Sequence, residues 1–372
     1  MKTLIVTLEY PPQIGGIASY IFNVASHLPP ADVLVLAPQV KSQDFDKNYP
    51  WRTIRVNPYW FFWPKWGRLF FQTRRLILRE KIQLLHVHHV LPVGYVAYLL
   101  KKLYKLPYYI FLHGTDLEAA TATRGKSVKF FRVIKSADKI VVNSRFMKQK
   151  LLSKFPALED NRITILYPSP ADFFFGEVPT ELIEKRRAQL ALEGKKVILT
   201  VARMTDGKGY PHLLRLLPQL LQKIPNLVWL IIGDGPKKDE IIAQVQKNNL
   251  QNNVRFLGQI VYADLPLYFH LADAFVLLTH KDEMAEEGWG TVFLEAAACG
   301  LPVVAGRVGG VEEVVEHLKT GFLVDTYQDQ SVLAAISDLL VQKDLAESMG
   351  RAGQERTRLN FRWADQLKKL YV

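Results

Sequence analysis

The chain alternates short apolar runs with stretches of helical length from one end to the other. The runs are rich in Val, Ile and Leu and contain few polar residues. Strands that are apolar at nearly every position are buried on both faces, which is typical of parallel sheets covered by helices. The sequence therefore predicts an α/β fold, with strands at residues 4–8, 33–36, 84–88, 108–112, 140–142, 163–166, 197–201, 227–232, 254–257, 274–278, 302–305 and 322–324.

The length of the chain and the distribution of these strands predict two domains. A chain of 372 residues is long enough to form two substantial cores. Two consecutive series of strands predict two Rossmann-like domains with a cleft between them. We expect the boundary near Tyr167-Pro168-Ser169-Pro170, where two prolines interrupt both the strand and the helix pattern.

The positive charge is concentrated in the first half of the chain. The whole chain carries a net charge of +12, but residues 1–170 hold 25 Lys and Arg against 10 Asp and Glu, a net of +15. The remaining residues hold 23 against 26, a net of −3. This asymmetry predicts an anionic partner for the first half, either a nucleic acid or a membrane surface. No segment resembles a known nucleic-acid-binding module, so we expect the membrane and no nucleic acid.

Three further features concern the cellular compartment. The single cysteine, Cys299, cannot form an internal disulfide, and no Cys/His cluster is present for zinc, so we expect a reducing environment. No apolar run approaches the roughly 18 residues that a membrane-spanning helix needs. The N-terminal apolar segment is too short for a signal peptide and is interpreted as the first strand. We therefore expect a cytoplasmic protein that is peripheral on the inner face of the membrane.

Two carboxylates with seven residues between them, Glu287 and Glu295, flank a glycine-rich turn that leads into a short helix. Gly288 and Gly290 allow the backbone to approach a ligand, and Thr291 is expected to cap the helix. The free N–H groups of a helix start suit a phosphate. A phosphate between two carboxylates that can accept from hydroxyl groups is what a sugar nucleotide needs. The alternative is a surface Glu and a helix-face Glu at accidental spacing.

Two other short segments carry groups suited to a diphosphate. Arg203 and Lys208 follow a strand end, where ligands bind in open α/β sheets, and two cations around Gly207 can hold a pyrophosphate. Gly15 and Gly16 follow the first strand, where backbone amides could approach the same group. Solvated loop cations and a routine strand-to-helix turn are the alternative interpretations.

Histidines follow two of the predicted strands of the first half. His113 ends a strand and precedes a glycine, which leaves space above it. His86 and His88 alternate on one face of their strand, and His89 follows them, but no carboxylate or cysteine stands near enough in sequence to favour a metal. A contribution of His88 or His89 to an acceptor site is the preferred interpretation, and a satisfied histidine at a strand end is the alternative for His113.

Residues 64–81 predict an amphipathic helix with one basic face. The basic face holds Lys65, Arg68, Gln72, Arg75 and Arg79, and the aromatic run from Trp60 to Trp63 precedes the helix. Tryptophan and phenylalanine next to Arg and Lys are typical of a helix that lies in a membrane interface. The interpretation as a membrane-binding element rests on Trp63, Trp66, Arg68, Arg75 and Arg79. A basic-faced helix packed on the domain core remains the alternative.

These segments together resemble the retaining family-4 glycosyltransferases with the GT-B fold. The Glu287–Glu295 segment is similar to the E-x7-E region of that family. The other motifs come in the family's order and spacing, and the resemblance spans nearly the whole chain. They are Pro11-Pro12-Gln13-Ile14-Gly15-Gly16, Phe111-Leu112-His113-Gly114-Thr115-Asp116, Val142-Asn143-Ser144, Val201-Ala202-Arg203-Met204, Gly207-Lys208-Gly209, Ile232-Gly233-Asp234-Gly235-Pro236 and Phe256-Leu257-Gly258.

The resemblance implies a GT-B architecture, in which two Rossmann-like domains with parallel sheets face each other across a deep cleft. It implies an acceptor domain at residues 1–170, rejoined by a C-terminal helix from about residue 360 to 372, and a donor domain at residues 171–359. The activity would be transfer of a hexose, with mannose from GDP-mannose preferred, to a lipid-linked or glycan acceptor. The configuration would be retained, with no metal and no other cofactor.

The resemblance also implies roles for single residues. Glu287 would contact the transferred sugar, Glu295 the ribose, and His113 the sugar from the other domain. Arg203 and Lys208 would hold the diphosphate in place of the divalent metal of other glycosyltransferases. Asp44-Phe45-Asp46 spells the metal-binding D-x-D of those other enzymes, and we interpret it as coincidence. The remaining predicted donor contacts are Gly15, Gly16, Gly235, Leu257, Ile260, Gly288, Trp289, Gly290, Thr291 and Val292, and the predicted acceptor contacts are His88, His89 and Asp116.

Other functions stay open at this point. A GT-B sugar-nucleotide epimerase would use the same donor site without an acceptor, and a glycosyltransferase could instead use a UDP-sugar on a soluble acceptor. A two-domain nicotinamide oxidoreductase is disfavoured, because no G-x-G-x-x-G follows the first strand and no acidic residue ends the second.

Overall fold

The computed structural model describes residues 1–13, 15–40, 44–61, 63–114, 117–118, 121–281 and 287–371. The chain forms two compact units. Unit 1 comprises Met1–Pro168 with Trp363–Val372, and unit 2 comprises Ser169–Arg362. The first crossing between the units lies within the Tyr167-Pro168-Ser169-Pro170 segment, where proline rings prevent a helix or a strand from continuing.

Unit 1 is built on a parallel sheet of seven strands in the order β3-β2-β1-β4-β5-β6-β7. The strands are β1 (Thr3–Val6), β2 (Val33–Pro38), β3 (Arg52–Val56), β4 (Leu84–His88), β5 (Tyr108–Leu112), β6 (Lys139–Val142) and β7 (Ile163–Ile165). The helices between them are α1 (Gly16–Ser26), α2 (Asp44–Lys47), α3 (Gly67–Glu80), α4 (Tyr95–Tyr104), α5 (Arg124–Ser136) and α6 (Arg145–Lys154). A short π-helical segment, Val90–Gly94, joins β4 to α4.

The sheet of unit 1 is covered on both faces. Side chains of α3, α4, α5 and α6 pack with one face of the strands in a single apolar cluster. Side chains of α1 pack with the other face in a second cluster. Every residue of β4 is buried, as expected for a strand that is covered on both faces of its sheet.

Unit 2 is built on a second parallel sheet, of six strands in the order β10-β9-β8-β11-β12-β13. The strands are β8 (Lys196–Val201), β9 (Leu227–Ile232), β10 (Val254–Gly258), β11 (Ala274–Leu277), β12 (Val303–Gly306) and β13 (Gly321–Val324). The helices are α7 (Thr180–Gln189), α8 (Tyr210–Lys223), α9 (Lys238–Lys247), α10 (Leu265–Phe269), α11 (Thr291–Ala298), α12 (Val311–Val314), α13 (Asp329–Val341) and α14 (Lys343–Asn360). The predicted α/β class with parallel sheets is confirmed.

After α14 the chain returns to unit 1 as the short helix α15 (Trp363–Lys368). Trp363 and Leu367 of α15 are buried in the same cluster as α1. The α15 side chains therefore complete the second apolar face of the unit 1 sheet.

One strand was absent from the sequence prediction. Strand β3 lies at the edge of the unit 1 sheet, and Arg52, Thr53 and Arg55 leave it only two apolar residues, Ile54 and Val56. An edge strand needs fewer apolar residues because one side of it has no neighbouring strand, so the search for unbroken apolar runs missed it. In the part of the chain that the structure describes, no helix is long and apolar enough to cross a membrane.

The contact between α14 and α11 depends on a glycine, and it gives a test of the fold. A Cβ atom on Gly350 would lie 2.1 Å from the carbonyl oxygen of Gly300, at the end of α11. Gly350→Ala should therefore lower the free energy of unfolding by about 1–3 kcal/mol, because the backbone must move to admit the methyl group. Urea unfolding followed by circular dichroism measures the change.

Gly125→Ala in α5 is the matched control, since a Cβ on Gly125 would meet nothing within 4 Å. Alanine is the better helix former by up to about 1 kcal/mol, so this variant should be as stable as the wild type or more stable. Equal unfolding midpoints for the two variants would contradict the packing argument.

Candidate functional site

Each sheet has one point at which the order of the strands reverses along the chain. In unit 2 this switch point lies between β8 and β11, since the chain proceeds from β8 to β9 on one side and from β11 to β12 on the other. In unit 1 it lies between β1 and β4. Loops that leave adjacent strands in opposite directions open a crevice at the carboxyl edge, which is where open α/β sheets bind ligands. Six of the predicted site residues follow the strands at these two points: Gly15, Gly16, His89, Arg203, Lys208 and Glu287.

In unit 2, Lys208 and Glu287 form an ion pair across the switch point. Lys208 lies after β8 and Glu287 lies in the segment after β11, and Lys208 Nζ donates to Glu287 Oε2 at 2.5 Å. Burial would raise the pKa of Glu287, but the Lys208 charge, its hydrogen bond and the backbone of Trp289 outweigh this effect, so the pKa is lowered. Glu287 is therefore an ionised acceptor at neutral pH.

Arg203 lies in the same loop as Lys208, directly after Ala202, and its side chain is exposed. Among the described residues no carboxylate pairs with its guanidinium. Arg203 is exposed and lies in the same loop as Lys208, whose ammonium group donates to one carboxylate. Such a pair of cations at a switch point is suited to bind a phosphate group.

The glycine turn after Glu287 leads directly into α11. Gly290 has φ 84° and precedes the first helical residue, so a left-handed glycine and not Thr291 forms the cap. The prediction that Thr291 caps the helix is wrong, because Thr291 already has helical geometry and makes no capping hydrogen bond. Thr291 and Val292 are half-buried residues of the first turn, whose backbone N–H groups have no acceptor within the helix.

Glu295 lies in the second turn of α11 and is almost completely buried. Its carboxylate Oε1 accepts a hydrogen bond from the Tyr262 hydroxyl at 2.7 Å. Burial raises the pKa of Glu295 to about 7, although the Tyr262 hydrogen bond lowers it in part. Sequence reasoning missed Tyr262, because a tyrosine 33 positions away carries no signal of this contact.

The other predicted donor contacts of unit 2 lie at the same edge of its sheet, with one correction. Leu257 is in β10 and Ile260 follows that strand, and both are half-buried. The Trp289 side chain is only 2% exposed and packs on Phe361, with ring centroids 5.7 Å apart, so the indole cannot contact a donor. Only the Trp289 backbone remains available for that role.

Two of the predicted glycines of unit 2 lie against neighbouring backbone. A Cβ on Gly235 would lie 2.4 Å from the carbonyl oxygen of Met204, in the loop that carries Arg203. The carbonyl oxygen of Gly288 would lie 2.0 Å from a Cβ on Gly310. Packing alone therefore explains Gly235, whereas its contact with a donor stays a prediction.

In unit 1, His113 follows β5 and lies beside His88, the last residue of β4. The two rings stack with centroids 5.3 Å apart, and His88 Nδ1 and His113 Nε2 share a hydrogen bond of 3.1 Å. Burial lowers the pKa of His113 to about 3 and holds that of His88 well below its usual value. Both rings are neutral at physiological pH.

His88 cannot contact an acceptor directly, since it is completely buried. The prediction that His88 contacts an acceptor is therefore wrong. Its ring instead stacks on that of His113 and shares a hydrogen bond with it. His86 is equally buried and stacks on Tyr109, and neither of its ring nitrogens has a hydrogen-bond partner among the residues that the structure describes. In the described part of the chain no group of three His, Cys, Asp or Glu side chains is placed to hold a metal ion.

His89 and an unpredicted carboxylate, Glu9, form the other part of this group. His89 Nε2 lies 3.4 Å from Glu9 Oε1, and the His89 ring lies 6.1 Å from that of His113. Glu9 follows β1, so the switch point of unit 1 brings the two together. An acidic residue after the first strand was the signal available in the sequence. Asp116, the third predicted acceptor contact, lies outside the described residues.

No packing contact among the described residues requires glycine at positions 15 and 16. Of these residues, only Glu9 would be approached by a Cβ on Gly15, through Oε2 at 4.0 Å, and none would lie within 4 Å of a Cβ on Gly16. Gly15 precedes α1 with an extended φ of 167°, which any residue can adopt. Packing therefore leaves the glycine pair unexplained.

The D-x-D segment lies in the one-turn helix α2 and not in a loop. Arg55 donates to both carboxylate oxygens of Asp46, at 2.8 and 2.7 Å, and also to the Pro11 carbonyl. Asp44 pairs with Lys47. The Asp46 carboxylate therefore binds a buried arginine that also anchors the Pro11 turn.

The basic helix predicted at residues 64–81 is α3. Trp66 is half-buried, because it packs on the unit 1 core and meets Tyr95 edge-on at 5.4 Å. Trp63 is 86% exposed, Arg75 and Arg79 are exposed, and Arg68 is half-buried. The exposed residues Phe61, Trp63, Phe71, Arg75, Leu78 and Arg79 are called the α3 surface below.

Two family models match consecutive parts of the chain. The model for Glycosyltransferase Family 4 matches residues 14–169, and the model for Glycosyl transferases group 1 matches residues 183–356. A GDP-mannose-dependent alpha-(1-6)-phosphatidylinositol monomannoside mannosyltransferase from Mycobacterium tuberculosis is 28% identical over 379 residues, which cover 99% of this chain and 97% of that protein.

Solved structures show the same fold. The Anabaena protein HepE in complex with UDP-glucose superposes with a TM-score of 0.85 at 19% identity, over 100% of this chain and 98% of that chain. A glycosyltransferase from Rickettsia africae gives a TM-score of 0.85 at 18% identity, over 100% and 96% of the two chains. The chain therefore consists of a Glycosyltransferase Family 4 domain followed by a Glycosyl transferases group 1 domain and is a glycosyltransferase, and the solved structures show that it has the GT-B fold.

Proposed function

We propose that this glycosyltransferase transfers mannose from GDP-mannose to a lipid-linked acceptor, with retention of configuration and without a metal ion. The observation that carries the proposal is the Lys208–Glu287 pair beside exposed Arg203 at the switch point of unit 2. The similarity to the GDP-mannose-dependent phosphatidylinositol monomannoside mannosyltransferase of Mycobacterium tuberculosis supports both the GDP-mannose donor and the lipid-linked acceptor.

In the proposed complex, unit 2 holds the nucleotide part of the donor. Arg203 and Lys208 bind the diphosphate, and the first N–H groups of α11 add to this site. Glu295 accepts from the ribose hydroxyls, and Glu287 accepts from a hydroxyl of the sugar. Lys208 would contact both the diphosphate and Glu287, because its Nζ already donates a hydrogen bond to the Glu287 carboxylate that is assigned to the sugar.

In the proposed transfer, the bond from the sugar C1 to the diphosphate oxygen breaks and a bond from C1 to the acceptor oxygen forms on the same face. The acceptor's proton passes to the departing diphosphate, whose growing negative charge Arg203 and Lys208 stabilise. His113 acts as a neutral hydrogen-bonding group for the sugar, since burial lowers its pKa to about 3. Gly15 and Gly16 let backbone amides approach the donor, which would explain why packing does not require them.

A donor screen tests the proposal. Purified enzyme is incubated with GDP-mannose, UDP-glucose or UDP-N-acetylglucosamine, with and without a lipid extract, and the release of nucleoside diphosphate is measured. We expect the fastest release from GDP-mannose, with stimulation by lipid and an α-linked product by NMR. Faster release of UDP from a UDP-sugar would show that the donor is that UDP-sugar and not GDP-mannose. Conversion of the sugar nucleotide without release of diphosphate would indicate an epimerase.

The first mutational prediction concerns the diphosphate site. Arg203→Ala should lower turnover by at least about 100-fold, since one lost donor to the transition state typically costs about 2.7–4 kcal/mol. The fold should be unaffected, because the Arg203 side chain is exposed. The steady-state rate of nucleoside diphosphate release measures the loss, and addition of EDTA should leave the wild-type rate unchanged.

Arg358→Ala is the control for Arg203→Ala, since Arg358 is an exposed arginine of α14 in the same unit. It should keep wild-type turnover. A rate for Arg203→Ala within about threefold of the control would remove this residue from the mechanism, and abolition of the wild-type rate by EDTA would show that a metal ion is needed.

The second prediction separates the two carboxylates. Glu295→Ala should weaken binding of GDP, because the ribose contact is lost whether or not a sugar is attached. Glu287→Ala should reduce transfer far more than it reduces GDP affinity, because its proposed partner is the sugar. Isothermal titration with GDP and a transfer assay on both variants give the comparison, and equal losses of GDP affinity would argue against separate roles.

The third prediction is that the α3 surface binds anionic lipid. Each Lys or Arg near an anionic membrane contributes about 1 kcal/mol, so the double variant Arg75→Glu, Arg79→Glu should bind at least about thirtyfold more weakly. Replacing Trp63 and Phe61 with Ser should remove the part of the binding that survives added salt. Co-sedimentation with phosphatidylserine-containing vesicles measures both effects.

Lys223→Glu, Lys247→Glu is the control with the same change of net charge, on exposed residues of unit 2. It should bind vesicles like the wild type. If the wild type ignores anionic vesicles at low salt, α3 serves only the core of unit 1, and a soluble glycan becomes the preferred acceptor.

A further inference from the structure

Tyr262 links two parts of the donor site of unit 2. It follows Ile260 by two positions, just beyond the segment assigned to the nucleotide base, and it begins the short 3₁₀ helix Tyr262–Asp264. Its hydroxyl donates to Glu295 Oε1 at 2.7 Å and is hydrogen-bonded by the backbone of Ala171. The hydroxyl therefore has both a donor and an acceptor partner within unit 2.

The aromatic ring and the hydroxyl of Tyr262 do different things. The ring packs edge-on against Phe173 and Phe174, with centroids 5.2 and 5.4 Å apart. Phenylalanine at position 262 would make the same ring contacts. The only interactions that tyrosine adds are the polar ones, and the Glu295 contact joins it to a side chain that the sequence already assigned to the ribose.

We propose that Tyr262 is a positioning residue for ribose recognition, whose hydroxyl holds Glu295 Oε1 and leaves the other carboxylate oxygen directed to the ribose hydroxyls. The inference rests on the proposed role of Glu295 and deepens it. Because Tyr262 lies two residues after Ile260, the same side chain also sets the distance between the base segment and the ribose carboxylate.

The hydrogen bond also affects the charge of Glu295. Burial raises the pKa of Glu295 to about 7, and Tyr262 acts in the opposite direction. Cys299, one turn further along α11, interacts with the same carboxylate, and burial first and Glu295 second raise the pKa of its thiol. Three charged residues of the elements packed on α11 pair elsewhere: Arg356 with Glu316, Glu312 with Arg307, and Asp172 with Arg362.

Tyr262→Phe tests the inference by isothermal titration with GDP and with 2′,3′-dideoxy-GDP, with the corresponding UDP pair run alongside. We expect GDP affinity to fall about tenfold, the usual scale for a lost hydrogen bond to a charged group. The dideoxy ligand has no ribose hydroxyls, so Tyr262→Phe and the wild type should bind it equally. Tyr268→Phe is the control, since that buried hydroxyl contacts Arg186 instead and should leave both affinities unchanged.

A pH profile separates positioning from a general structural effect. Below its pKa the Glu295 carboxyl accepts hydrogen bonds poorly, so wild-type affinity for GDP-mannose should fall as the pH drops through about 7. Without the Tyr262 donor the pKa of Glu295 rises, and the midpoint of this loss should move to higher pH. A structural defect would lower the affinity equally at every pH.

The outcomes are distinguishable. If Glu295→Ala and the dideoxy ligand both weaken binding but Tyr262→Phe binds GDP like the wild type with an unshifted pH midpoint, the inference about Tyr262 fails and the ribose role of Glu295 stands. If the dideoxy ligand binds as tightly as GDP, the ribose role fails and the inference fails with it. Only folded Tyr262→Phe binds GDP-mannose, so the pH midpoint of its affinity can be measured even if the variant is less stable than the wild type.

Discussion

The hydrogen-bonded ion pair between Lys208 and Glu287 joins the two loops at the switch point of unit 2, where the proposed donor site lies. The two residues are 79 positions apart, and they meet because the loops after β8 and β11 leave neighbouring strands of one sheet. Loss of either partner would leave the other charge partly buried and unpaired, which is costly. The backbone N–H of Gly310 binds the Glu287 carbonyl at 3.0 Å, so the segment that carries the pair is fixed from a second direction. The start of α11, and with it Glu295, depends on this arrangement.

The two units use different physical chemistry at corresponding places. The switch point of unit 2 presents ionised groups, Lys208 and Glu287, which suit a charged diphosphate and a polar sugar. The switch point of unit 1 holds two stacked rings, His88 and His113, whose pKa values burial lowers, with the carboxylate of Glu9 beside His89. Basic residues of unit 1 also lie away from this point, on exposed positions of α3, where the proposed lipid-binding surface is.

The sequence predicted the fold where burial on both faces left an unbroken apolar run, as in β9, and missed β3, where Arg52 and Arg55 interrupt the pattern at an edge. The motifs placed Lys208 and Glu287 at the correct strand ends. The burial of a side chain was harder to predict: Trp66 was expected at a membrane and Trp289 at a donor, but Trp66 packs in part on the unit 1 core and Trp289 is buried against Phe361.

Contacts between residues far apart in sequence account for what was missed. Glu9 reaches His89, and Tyr262 reaches Glu295, only because the sheets bring separate loops together. The affinity of the wild-type enzyme for guanosine, GMP and GDP, with the uridine series beside it, tests the central claim most directly. We predict that the affinity rises steeply when the second phosphate is added, because Arg203 and Lys208 bind the diphosphate. Added salt should weaken this gain in affinity. Equal affinity for guanosine and GDP, and for uridine and UDP, would contradict it.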